Sequence, residues 1–120
     1  MMATTDEKTI VNRLNRNVDV LESTFEKYNC RVISYGFCGI NASNGWMEFL
    51  VEVATIKGSK LTDDIQIKVN LYDDQGVIIY SDEIDIDQDD IAGYDTLHFY
   101  LNENNVAYDA AKARLFAVKS

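Results

Sequence analysis

Apolar residues open the chain at spacings of three and four: Val11, Leu14, Val18, Leu21, Phe25 and Tyr28. That period lines them along one stripe of an α-helix and predicts a helix from residue 5 to about residue 28. Thr4 and Glu7 fit a capping box, in which hydroxyl and carboxylate each satisfy an orphan N–H. Asn29 is the expected stop. Beyond it the period falls to two. "CRVISYGFCG" is rich in β-branched and aromatic residues, "INASNG" carries an Asn-Gly turn signal, and "WMEFLVEVATI" follows. In that third segment Met47, Phe49, Val51 and Val53 share one face, and Trp46, Glu48, Leu50 and Glu52 the other. After the polar loop "KGSKLTDD", "IQIKVNLY" sends Ile65, Ile67, Val69 and Leu71 inward and Gln66, Lys68 and Asn70 outward. "DDQG" is turn chemistry, with Gly76 supplying a positive φ. "VIIYSDEIDI", "TLHFYL" and "AKARLFAVKS" complete the alternating segments, with the loop "DQDDIAGYD" between the first two.

One helix followed by about six strands, without βαβ alternation, predicts a mainly β fold. The expectation is an antiparallel immunoglobulin-like β-sandwich over residues 30–120, preceded by an N-terminal amphipathic helix in residues 1–29. The chain has 120 residues and 47% hydrophobic content. A chain of that length forms one core and removes roughly two-thirds of its unfolded surface from water. With no proline in the sequence, edge protection is expected from Lys68, Glu52 and Arg114. The helical stripe has two uses. It can close an open face of the sandwich, or it can serve as an association seam through Val11, Leu14, Val18, Leu21 and Phe25. It extends over only about two and a half heptads, against the three or four of a sustained coiled coil.

Charge narrows the partners. The formal net charge is -9, and residues 61–110 hold thirteen acidic side chains against the single base Lys68. Such a surface repels phosphate, so nucleic acid is not an expected partner, whereas basic proteins are compatible. No run approaches the roughly 20 apolar residues of a membrane span. The opening residues show no basic region followed by an apolar one, as a secretory signal has. Cys30 and Cys38 are too few for a disulfide scaffold and, on one extended strand, too far apart to bond. A reduced, cytoplasmic protein is the expectation.

The stretch "DEIDIDQDDIAG" concentrates Asp82, Glu83, Asp85, Asp87, Asp89 and Asp90. Read as an EF-hand loop from Asp85, it has Asp90 where glycine belongs and Thr96 where the bidentate glutamate belongs, so that motif fails. Strand alternation accounts for the first half, with Ile84 and Ile86 inward and Glu83, Asp85 and Asp87 outward. The alternative is a calcium- or ligand-binding module of the C2 kind, in which Asp73, Asp74, Asp87, Asp89 and Asp90 meet at one end of the sandwich.

Other chemistry is sparse. His98, the only histidine, falls on an outer strand face beside Tyr100, with no local signature of a triad. The cysteines lack CxxC spacing, and zinc ligands are too few. The glycines form no phosphate-binding loop. Asn41 opens a glycosylation sequon, "NAS", which matters only in a secreted protein. Trp46, Tyr35, Phe37 and Tyr100 occupy strand positions; an exposed cluster of Trp46 with tyrosine would mark an interface.

The segment "IQIKVNLYDDQGVIIYSDEI", followed by "IAGYDTLHFYL", resembles the FxLYD family of small bacterial β-sandwich domains over roughly residues 46–118. The family's name motif reads Val69-Asn70-Leu71-Tyr72-Asp73 here, with valine in the phenylalanine position, and Ala92 holds the place of a usual proline. The resemblance implies a sandwich of the binding-module class with no general enzymatic activity. Such domains are commonly tied to secreted or membrane-anchored proteins, whereas no signal is visible here. Together these readings predict a non-enzymatic protein–protein interaction module without cofactor, whose partner is another protein or a second copy in a homodimer.

Overall fold

The computed structural model describes residues 3–41 and 43–120, with side chains from Glu7 onward. In chain order the elements are α1 (Ala3–Asn15), β1 (Val18–Val20), α2 (Glu22–Glu26), β2 (Cys30–Asn41), β3 (Trp46–Thr55), β4 (Ile65–Tyr72), β5 (Ile78–Ile86), β6 (Tyr94–Leu101), α3 (Val106–Asp109) and β7 (Lys112–Lys119). One sheet has the order β1-β7-β4-β5 and the other β2-β3-β6. Neighbouring strands are antiparallel except β1, which runs parallel to β7. The expected mainly β, antiparallel sandwich behind an N-terminal helix is the observed fold class, with seven strands among the described residues against the expected number of about six.

Strand alternation builds the core. Ile65, Ile67, Val69 and Leu71 of β4 are fully buried, as their period predicts, and share one cluster with Phe49, Val51 and Val53 of β3 and Phe99 and Leu101 of β6. Burying each such side chain contributes about 1.5–3 kcal/mol. Phe37 and Phe49 stack obliquely within it, centroids 4.5 Å apart. The expected glycine turn closes the β4–β5 hairpin, with Gly76 at φ 81°.

The single helix over residues 5–28 is not what forms. The chain leaves α1 at Asn15, runs as β1 through Val18–Val20, and turns once more as the short α2. The reason is the edge of β7. Leu21 N–H donates to Leu115 O at 2.9 Å, Ala113 N–H donates to Asn17 O at 3.0 Å, and Ala117 N–H donates to the Thr24 hydroxyl at 3.0 Å. A continuous helix spends its backbone groups on itself and has none to lend a strand. The β-branched pair Val18 and Val20 suits the extended form. Asn29, at φ 65°, does end the helical region, and its side-chain amide bonds Lys57 O and Lys60 O at 2.8 Å each. The Thr4–Glu7 capping box rests on a side chain outside the described residues.

The proposed association seam is dispersed by the same break. Leu14 and Phe25 are fully buried in the core of their own chain. Val11 and Val18 are half-buried against it, and Leu21 is half-buried beside β7. Five residues that a continuous helix would align lie on or between three elements, and Leu14 and Phe25 have no surface to offer.

Edge protection also differs from expectation. Lys68, Glu52 and Arg114 lie on β4, β3 and β7, which are interior to their sheets. The edges are managed by other groups. Residues 17–24 cover β7, and the Asn15 amide covers β2 at Phe37. On β5 and β6, Asp82 and Asp95 turn their carboxylates back to accept from Glu83 N–H and Thr96 N–H, each at 2.8 Å. An acid placed there discourages pairing with a further strand.

Candidate interaction face

The outer face of the β2-β3-β6 sheet is assembled by register. Its pairings lay down three cross-strand rows: Cys38–Glu48–Tyr100, Gly36–Leu50–His98 and Ser34–Glu52–Thr96. Trp46 extends the face beyond the first row and Tyr94 beyond the third. Because Gly36 carries no side chain, Leu50 stands uncovered in the middle row, above a cavity of about 320 Å³ bounded by Ser34, Cys38, Leu50, Glu52 and Thr96. Trp46, Leu50, Tyr94 and Tyr100 remain 36–59% exposed. Four large apolar groups left in water on one sheet face exceed the scattered exposure of an ordinary surface.

Trp46 is placed by the turn preceding it. Gly45 has φ 75°, and a Cβ there would lie 2.6 Å from Asn105 Cα. Ala107 N–H donates to Gly45 O at 3.0 Å and Asn105 N–H to Asn44 O at 2.7 Å, so the turn is locked to the start of α3. The indole N–H of Trp46 then donates to Asn104 Oδ1 at 2.9 Å. Between Trp46 and Tyr100 lies a second cavity, of about 370 Å³, lined also by Ile40, Asn41, Glu48 and Asn102.

Two carboxylates punctuate this apolar surface. Glu52 accepts from the hydroxyls of Ser34 and Tyr94, and these bonds, Ser34 first, hold its carboxyl below the usual glutamate range. Glu48 is hydrogen-bonded through Oε1 to Nε2 of His98. The His98 ring stacks on Tyr100, centroids 4.2 Å apart and planes 21° from parallel. Partial burial and, next, the Glu48 charge push the Cys38 thiol up. Cys30 is pushed up to about 11 by burial.

On the other sheet's outer face both Arg114 and Lys68 meet acidic partners within the chain. Arg114 Nε donates to Asp19 at 3.2 Å while its guanidinium lies 5.3 Å from the Tyr72 ring centroid, and Lys68 reaches Glu83 at 3.8 Å. Among the described residues, no lysine or arginine pairs with Glu48 or Glu52.

The five aspartates of the calcium alternative do not converge. Asp73 and Asp74 follow β4, at the end of the β4–β5 hairpin where Tyr72 pairs with Ile78. Asp87, Asp89 and Asp90 follow β5, at the opposite end where Ile65 pairs with Ile86. Nine residues of strand at roughly 3.3 Å each hold the two groups on the order of 30 Å apart. Each group has local work. Asp73 Oδ1 accepts from Gln75 N–H and Val77 N–H, both at 2.9 Å, and Asp89 pairs with Lys60 at 3.4 Å. Among the described residues, no group of three or more His, Cys, Asp or Glu side chains could share a metal ion.

His98 lies on the outer face beside Tyr100, as alternation predicts, and its ring bonds a carboxylate. Cys30 and Cys38 are both free, eight positions apart on β2. No helix among the described residues is long and apolar enough to cross a membrane. Reading the sequence missed the rows themselves, since the order β2-β3-β6 is set by folding. The signal within reach was the shared outward parity of residues 46–52 and 96–100.

No protein-family model matches the chain, and no curated protein matches it. Among solved structures it is similar to Campylobacter jejuni cj0090, at 18% identity and a TM-score of 0.49, over 87% of this chain and 98% of that one. It is also similar to the C-terminal domain of wzt, at 14% identity and a TM-score of 0.44, over 62% of this chain and 51% of that one.

Proposed function

We propose that this chain is a non-enzymatic protein–protein interaction module whose partner docks on the outer face of the β2-β3-β6 sheet. The observation that carries the reading is the exposure of Trp46, Leu50, Tyr94 and Tyr100 on one face, with Glu48 and Glu52 among them. Tryptophan and tyrosine lose little rotamer entropy on binding for the area they bury, and they dominate interface energetics. The N-terminal segment is a structural part of the sandwich, which transfers the interaction role from the helix to the sheet. A module without enzymatic activity accords with the resemblance of residues 46–118 to FxLYD domains.

A photo-crosslinking amino acid at Leu50, compared with one at Gln66 on the opposite sheet, tests this in extract of the source cell. The reading expects protein adducts from Leu50 alone, and expects the purified adduct partner to bind the intact chain and to lose at least about tenfold in affinity on Trp46→Ala. Adducts from Gln66 alone, or a partner indifferent to Trp46→Ala, would contradict it.

A further inference from the structure

Resting on that reading, we infer that the cavity between Trp46 and Tyr100 seats an arginine side chain of the partner, so that the docked segment is basic with apolar flanks. Three observations converge. The cavity holds about 370 Å³ and combines two aromatic side chains with the carboxylate of Glu48 and the amides of Asn41 and Asn102. Aromatic faces attract cations through their quadrupole, and a carboxylate beside them adds charge and a hydrogen-bond acceptor. Glu48 engages His98 through Oε1 only, which leaves Oε2 for a guanidinium donor.

The second observation is the mismatch of charge. The chain supplies no lysine or arginine to Glu48 or Glu52 among the described residues, and its formal net charge is -9. The third is internal. On the opposite sheet the chain itself places Arg114 against the Tyr72 ring and the Asp19 carboxylate. The sheet bearing Trp46 and Tyr100 presents the aromatic and acidic parts of the same arrangement without a guanidinium, Glu48 meeting only the His98 imidazole that stacks on Tyr100. Arginine fits better than lysine, because its planar guanidinium stacks on a ring while donating in plane to a carboxylate. Leu50, one row away, suits an apolar neighbour of that arginine.

Trp46 is the only tryptophan, so indole fluorescence originates at the edge of this cavity. The titrant is the peptide acetyl-Gly-Leu-Arg-Leu-Gly-amide, with a counterpart carrying citrulline in place of arginine. The intact chain is expected to give a saturable change with the arginine peptide, at least about tenfold tighter than with citrulline. Glu48→Gln is expected to bring arginine to the citrulline level, and Tyr100→Leu to weaken it, with the thermal midpoint checked in both. Asp85→Asn, on the other sheet, is expected to change nothing. Equal binding of the two peptides, or equal weakening by Asp85→Asn and Glu48→Gln, overturns the inference. So does saturation by a neutral oligosaccharide such as cellohexaose more tightly than by the arginine peptide. If the arginine peptide fails while the Leu50-crosslinked partner still requires Trp46, the cation is overturned and the docking face stands; if that requirement also fails, both fall.

Discussion

The side-chain amide of Asn15 clasps the backbone of Phe37: Oδ1 accepts from Phe37 N–H at 2.6 Å, and Nδ2 donates to Phe37 O at 3.3 Å. One amide thus imitates a neighbouring strand on the open edge of β2 and fastens α1 to the three-stranded sheet. Leu14, next to it, is fully buried, and Arg13 donates to Ala110 O at 3.0 Å. Asn15→Ala removes both bonds and leaves two half-buried backbone groups with only water to meet them. The expected loss is about 1–2 kcal/mol by urea denaturation, with Arg16→Ala, an exposed neighbour, within about 0.5 kcal/mol of the parent. A chain beginning at Cys30 loses Leu14, Phe25, Tyr28 and the cover of β7, and is expected to show no cooperative transition.

Gly45 sets the position of Trp46. Gly45→Ala puts a Cβ 2.6 Å from Asn105 Cα at a φ of 75°. Because the obstructing atom is backbone, the turn or α3 must shift, and a destabilisation of about 1–3 kcal/mol is expected in thermal or denaturant melts. The indole emission of Trp46 should change in the folded state as well, since its anchor to Asn104 moves with that turn.

Those two sites also show what could be read beforehand. The alternation of β4 named its four core residues correctly, because a strand buried on one face must repeat every second residue. Asn44-Gly45 and Gly76 announced turns that form. The helix reading failed between Asn15 and Glu22, where spacings of three and four persist by coincidence while the backbone is needed to cover β7. Only the flanking asparagines 15 and 17 and the valine alternation at 18 and 20 hinted at the break. The candidate face was half legible: Trp46, Glu48, Leu50 and Glu52 read as outward, as did His98 and Tyr100. Their juxtaposition depends on β3 pairing with both β2 and β6, which no local pattern encodes.

Two carboxylates are expected to respond to acid with opposite sign. Asp64 first, then Asp90, raise the carboxyl of Asp87 above its ordinary value. Its charged form is therefore disfavoured in the folded state at neutral pH, and this cost is relieved as pH falls through the raised folded value. Asp87→Asn should raise the melting temperature at pH 7, with the gain vanishing below about pH 4. Glu52 behaves in reverse. Its lowered carboxyl contributes stability above the unfolded value, lost as pH falls through the folded one. Removing a donor, by Ser34→Ala or Tyr94→Phe, should move its carboxyl resonance to titrate at higher pH in NMR.

Calcium is expected to leave the protein unchanged. Asp73 and Asp74 are held at one end of the β4–β5 hairpin and Asp87, Asp89 and Asp90 at the other, so the five cannot share an ion. The melting temperature should stay flat up to millimolar calcium. A saturable rise abolished by Asp73→Asn together with Asp87→Asn would contradict the separation.

The most direct test of the docking face is hydrogen exchange of the intact chain with and without the partner recovered by crosslinking at Leu50. Protection should concentrate in Trp46–Glu52 and Tyr94–Tyr100, while residues 7–29 and Ile78–Ile86 exchange as in the free chain. Protection confined to residues 7–29, or to the opposite sheet, would contradict the account and return the interaction to the N-terminal segment or to β5.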